Sequence, residues 1–361
     1  MDLFGALVAL YAFECLVWLS GAETLLAVTP FGRWIASGPG LRLLLPRPSA
    51  RCEIGFRFPL VELEGSLHAR GGERWFVRGS AGPVSLTALG DAEAHARTVR
   101  VGRGAIARGI DASHAERLAH LLREIGRGDA DQRRTRIEAA IRESLSFTRF
   151  DAARARVDEA AHGLAWTSDV YALALFGVTP AAVLAAGPEY ALWVLAPALI
   201  LLHGAVLIVF ARAHAHLLPE RRADRIQALL GAAIYPPAAL RTHHRLRASA
   251  LGDHHPATLA AALLPREAGR AFLRAELVHA ESRSAAAPSE LGFSLAGCER
   301  DALMALIGEL GESPAALLRP PDRIHPLAVA YCPACRCEYR REGGECSDCR
   351  LSLERFPEAA R

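Results

Sequence analysis

The chain has 361 residues, a formal net charge of +3, only 22% charged residues and a slightly positive mean hydropathy. That length allows two or three domains and a sizeable core. The balanced charge excludes a global field for nucleic acid, and the low charge content argues against an ordinary soluble protein.

All 42 side chains of the Lys and Arg class are arginine, which we read as the codon bias of a GC-rich, bacterial-type genome. The first predicted element, residues 1–22, is a transmembrane helix: the run 3–22 has Glu14 as its only charge and is long enough to span. Asp2 stands where a signal peptide carries basic residues, and no small-x-small site follows the run cleanly, so a span is expected rather than a cleaved leader. A carboxylate at mid-membrane costs roughly 2.5–3.5 kcal/mol on insertion scales. Tyr11, Glu14 and Trp18 share one helical face, which is therefore expected to turn toward other helices.

Residues 23–105 read as a small juxtamembrane β module. Short apolar runs at 41–45, 52–58, 74–77, 84–86 and 98–101 alternate with glycine-rich breaks such as Gly71-Gly72, as half-buried antiparallel strands require. Residues 106–163 read as cytoplasmic helices. Ser113 and Glu116 have capping-box spacing, Leu118, Leu121, Leu122 and Ile125 share a face, a second helix is expected over 130–145, and Asp151 could cap a third.

A transmembrane hairpin is predicted over 164–211. From residue 170 to 211 the one formal charge is Glu189, in a Gly-Pro-Glu break between two apolar runs, 170–186 and 190–211. Each run approaches the ~20 residues that cross a bilayer, and Pro180 inside the first is tolerated in membrane helices. Residues 212–319 read as cytoplasmic and interfacial helices. Ile226, Leu229, Leu230, Ala233 and Ile234 form an apolar stripe beside Arg221, Arg222 and Arg225, the pattern of a helix in the headgroup plane. Further helices are expected near 256–263, 266–285 and 299–310, before Pro320-Pro321 leads into a module at 320–361.

Orientation follows from arginine placement. Arg33, Arg42, Arg47, Arg149, Arg154, Arg156, Arg212, Arg221, Arg222 and Arg225 all flank the spans on one side, whereas the other side offers no cation. The positive-inside rule puts the N-terminus outside and the large soluble parts, with the C-terminus, in the cytoplasm of an inner-membrane protein.

The last module carries Cys332, Cys335, Cys346 and Cys349 as two Cys-x-x-Cys pairs. Each tight turn can supply two thiolates to a tetrahedral ion, and thiolates holding metal must stay reduced, which agrees with a cytoplasmic location. The pattern resembles the zinc-ribbon family over residues 330–356. The resemblance implies these four cysteines as ligands to Zn²⁺, with a strand over 338–341 and a turn at Gly343-Gly344. Family knuckles often place glycine after the second cysteine, where the backbone turns left-handed; here Arg336 and Arg350 hold those places, at a cost of about 1–2 kcal/mol each. Cys337 is a fifth thiol and could replace Cys335. Cys-Pro-x-Cys with a following tyrosine also resembles rubredoxin, which implies iron and electron transfer, although the missing glycines favour zinc.

From residue 331 onward six arginines face six acidic residues, and four thiolates around one Zn²⁺ add further negative charge. Nucleic-acid binding rests on clustered cations, so a cytoplasmic protein partner is expected instead, beside the lipid bilayer. The histidine pairs His214/His216, His243/His244 and His254/His255 offer a second metal site, but His243-His244 and His254-His255 are adjacent, and neighbours on a helix point apart. Lysine-dependent phosphate loops, dinucleotide fingerprints and nucleophile elbows are missing. The expected fold is an α+β membrane protein with three transmembrane helices, a small β module, cytoplasmic helices and a zinc ribbon. The leading functional expectation is a non-enzymatic scaffold or sensor. The alternatives are an enzyme or transporter component using Glu14 and His203 inside the bundle, or a rubredoxin-like redox module.

Overall fold

The computed structural model describes residues 28–29, 32–33, 68–70, 74–79, 82–108, 112–187, 189, 191–234, 236–240, 242–264, 266–286 and 295–357. The predicted span at 1–22 with Glu14, and the predicted strands at 41–45 and 52–58, lie outside the described residues. The described part is mostly helical with small antiparallel sheets. It divides into two compact units, residues 1–54 with 151–253, and residues 55–150 with 254–361.

In the first unit two helices are long and apolar enough to cross a membrane, Phe147–Ala186 and Trp193–Leu217. Only 6% and 11% of their most apolar windows is buried. Leu184 is 88% exposed and Trp193 78%; the core helix of a soluble protein hides such surface. The first of these helices widens into a π turn at Ala174–Val178 just before Pro180. The backbone stays helical through Val178 into Thr179–Ala186, so it is the wide turn that accommodates the Pro180 ring and its missing N–H. Thr179 Oγ1 donates to the Ala174 carbonyl at 2.8 Å across the wide turn. The run ends at Gly187, whose φ of +87° suits a residue without Cβ.

A seam of buried residues follows from the spacing. Val157, Ala161, Leu164, Ser168 and Tyr171 recur at intervals of four and three on one helix, and Val206, Phe210 and Ala213 do so on the other, the periodicity of paired antiparallel helices. Beyond them lie the helices Arg222–Ile234, Pro236–Leu240 and Thr242–Leu251. Arg221 pairs with Asp253 at 3.5 Å, and Arg154 and Arg247 both pair with Asp158. Ile226, Leu230 and Ile234 stand exposed, four residues apart.

The second unit buries its apolar side chains in the usual way. Strands His68–Arg70, Arg74–Gly79 and Gly82–Ser85 form one antiparallel sheet, and Glu93–His95, Thr98–Val101 and Gly104–Arg108 another. A 3-10 turn, Leu86–Asp91, joins them and lies against the helix Ala112–Arg127. A Cβ on Gly126 would stand 2.1 Å from the Gly90 nitrogen, so only glycine permits that approach. Ala115, Leu118, Leu122 and Ile125 are buried on one face of this helix while Leu121 is half-buried.

Two predicted caps are corrected. Ser113 is the second residue of its helix, and among the described residues a reciprocal capping box is made by Asp129 and Gln132 at the start of Ala130–Leu145. The next helix begins at Phe147, where Ser146 Oγ accepts from Arg149 N–H at 3.3 Å, so Asp151 is interior. Helices Pro256–Leu263, Arg266–Ala286 and Leu295–Glu309 complete a core that includes Leu273, Leu277, Leu303 and Ile307.

Candidate metal centre and a buried polar cluster

The last module is built on a short central strand, Ala330–Tyr331, flanked antiparallel by Glu338–Tyr339 and Glu354–Arg355. Tyr331 Oη donates to Glu354 across the sheet at 2.6 Å. Two knuckles project from this frame with the same backbone pattern. In one, Cys332 N–H donates to the Cys337 carbonyl and Arg336 N–H to the Cys332 carbonyl, both at 2.9 Å. In the other, Cys346 N–H donates to Leu351 at 2.8 Å and Arg350 N–H to Cys346 at 2.9 Å. Arg336 and Arg350 take φ of +63° and +55°, the left-handed geometry expected at those two places.

The result is one cluster. The sulfurs of Cys332, Cys335, Cys346 and Cys349 all lie within 4.8 Å of one another. Cys335 Sγ and Cys346 Sγ are 3.7 Å apart. A tetrahedral ion with metal–sulfur bonds of about 2.3 Å needs sulfur–sulfur edges of about 3.8 Å, whereas a disulfide needs about 2.05 Å. The four thiols thus fit a metal, compatible with a zinc-ribbon-like site. Cys337 is not in this cluster and its side chain is exposed.

The four thiols differ in acidity. Burial pushes the Cys332 thiol up to about 11 and also raises Cys335 and Cys349. At Cys346 burial works the same way but is outweighed by donors. Tyr339 Oη reaches its sulfur at 3.2 Å, the Cys349 N–H reaches it at 3.4 Å, and the thiol drops to about 6. Without metal, three of the four thiols therefore keep their protons near neutral pH, and a divalent ion must expel them.

The module is seated on the rest of its unit. Cys332, Ala334, Cys346 and Leu351 pack with Val278 of the helix Arg266–Ala286. From the same helix, buried Arg274 donates to the Ala334 carbonyl at 3.1 Å. Burial and neighbouring Arg336 lower the Arg274 pKa, while the Cys335 and Cys332 sulfurs act in the opposite direction. Arg336 donates to the Arg319 carbonyl at 3.1 Å. Pro320-Pro321 is consequently flanked by anchored residues rather than acting as a loose tether.

A second cluster joins residues that no local spacing in the sequence connects. His255, Glu276 and Glu299 are all buried, with ligand atoms within 4.8 Å of one another. His254 and His255 do point apart, as adjacent residues should: His254 packs edge-on against Phe150. His255 Nδ1 caps the helix Pro256–Leu263 by accepting the Ala257 N–H at 3.1 Å. The ring proton is then on Nε2, 3.2 Å from Glu299 Oε1. A metal at Nε2 would need that lone pair, because ligating imidazoles carry their proton on the other nitrogen. The geometry is that of a hydrogen-bonded polar network.

In the first unit His203 meets Tyr171, with Nδ1 3.2 Å from the phenolic oxygen. The two residues are equidistant from Gly187, so antiparallel pairing about that break would have located Tyr171. His243 and His244 lie on the helix Thr242–Leu251, and His214 and His216 lie at the end of Ala196–Leu217. No family model, curated protein or solved structure matches this chain.

Proposed function

We propose that this chain is a non-enzymatic inner-membrane scaffold or sensor whose C-terminal zinc ribbon docks a cytoplasmic protein. The observation that carries the reading is the four-sulfur cluster, seated on a water-type core, in the same chain as two exposed apolar helices. Four thiolates in tetrahedral spacing suit zinc, and a structural zinc site holds a surface in shape without doing chemistry. The span at 1–22 completes a three-helix anchor, with the N-terminus outside and the ribbon in the reducing cytoplasm. Balanced charge around the ribbon favours a protein partner over nucleic acid.

The test is photo-cross-linking in the full chain from exposed Asp348 and, separately, exposed Glu342. One defined adduct that disappears on metal chelation is expected; no adduct from either position removes the docking role. Exposed Cys337 supplies the topology check. It should resist impermeant maleimide in intact cells, and labelling there reverses the orientation.

A second reading rests on the Tyr171–His203 contact. An ionisable pair between candidate spans is a functional-site hypothesis in its own right, and with Glu14 it would make the chain an enzyme or transporter component. Loss of function in His203→Ala with insertion intact would favour this reading over the scaffold. The rubredoxin-like alternative predicts a red, iron-loaded protein.

A further inference from the structure

We propose that the turn 324–327 is a docking surface for an anionic lipid bilayer, a second point of membrane contact made by the metal-bearing unit. In that unit, among the described residues, Ile324 (90% exposed) and Leu327 (60%) are the large apolar side chains left open to solvent. They are not on a slack loop. Glu338 accepts the Ile324 N–H at 2.6 Å and the His325 N–H at 2.8 Å. His325 Nδ1 accepts the Leu327 N–H at 3.1 Å, and its carbonyl accepts Ala328 N–H at 2.9 Å. The two tips are held out in a fixed geometry, so burying them costs little further ordering.

Arginine slightly outnumbers acid beside the turn, within a module whose charge is balanced overall. Arg319, Arg323 and Arg340 are exposed around the turn, with Arg323 stacked over the Phe356 ring at 5.0 Å and Arg340 3.2 Å from His325 Nε2. Asp322 adjoins Arg323 in the chain, and the Glu338 carboxylate is turned onto the N–H groups of the turn. Protein hot spots are enriched in aromatic and arginine anchors seated in pockets, and leucine is under-represented there. A convex pair of aliphatic tips ringed by arginine instead matches an apolar layer beneath anionic headgroups. Affinity need not be high, because a unit tethered to a bilayer meets it at an effective concentration near millimolar.

The inference rests on the membrane insertion proposed above. The experiment uses the full chain in nanodiscs of phosphatidylcholine with about a third phosphatidylglycerol, an anionic surface. Ile324→Trp is read as a difference against the five native tryptophans. The added tryptophan is expected to emit blue-shifted light and to be quenched by lipids brominated near the carbonyls. Leu327→Asp in that background should abolish the quenching. Arg340→Gln should weaken docking about fivefold, as should discs with fewer anionic lipids. A red-shifted, unquenched signal from correctly inserted chain overturns the docking. Equal quenching in discs of phosphatidylcholine alone overturns its anionic character. A chain that does not incorporate into discs overturns the membrane reading and this inference together.

Discussion

The two units solve opposite solvent problems. In the first, the longest helices turn leucine, isoleucine and tryptophan outward and hide a tyrosine, a serine and part of a histidine along their seam. In the second, aliphatic side chains are inside, and the polar groups hidden among them include clustered thiols, a His-Glu-Glu network and Arg274. The contrast teaches where each unit draws its stability. Apolar surface facing out gains nothing in water, so the first unit depends on its surroundings. The second depends on its own core and on whatever neutralises four clustered sulfurs.

The sharpest way to break that contrast is to remove the metal. A structural metal ion can be worth roughly 10–16 kcal/mol, the range for Zn²⁺ in zinc-finger peptides. Chelation, or Cys346→Ser, should therefore release amide protection throughout 330–356 and along the helix Arg266–Ala286, which supports the module. Hydrogen exchange should show protection in Trp193–Leu217 unchanged in the same sample. Simultaneous loss in both regions would mean that metal does not separate the units.

Acid should act on the same unit. Cys332, Cys335 and Cys349 have raised thiol values, whereas Cys346 sits at about 6. Near pH 7–8 metal binding then expels about three protons, so affinity should rise about a thousandfold per pH unit. Below about pH 6 the fourth thiol is protonated as well and the dependence steepens. Competition titrations against a chromogenic chelator at three pH values measure the slope; a slope near one would mean that most thiolates exist before metal arrives.

Glycine substitutions separate the units on a smaller scale. Gly126→Ala forces a Cβ into the Gly90 backbone and should cost about 1–3 kcal/mol or more. Gly231→Ala in the first unit meets nothing within 4 Å and should stabilise its helix by up to about 1 kcal/mol. Thermal melts of the two variants should move in opposite directions. The smallest effect is Arg350→Gly. It relieves a left-handed residue at φ +55° and should gain about 1 kcal/mol or less, the strain being partly offset by unfolded-chain entropy. Arg336→Gly should gain less, because it also gives up the bond to Arg319.

The amino-acid sequence alone was enough to mark two apolar helices around Gly187 and the four cysteines, and the zinc-ribbon resemblance implied the two left-handed arginines. Each of these is written in contiguous residues: a run of side chains as long as a bilayer is thick, or a Cys-x-x-Cys spacing that can turn two sulfurs to one side. Tertiary structure decided the rest. It gathered Cys335 rather than Cys337 into the four-sulfur cluster, since both are close along the chain and only the facing knuckle distinguishes them. It seated the module on Arg274 and Val278, and it brought His255 to Glu276 and Glu299 from separate helices. Those meetings depend on how helices pack, which no local spacing encodes, and the capping box at Asp129 rather than Ser113 shows the same competition on a smaller scale.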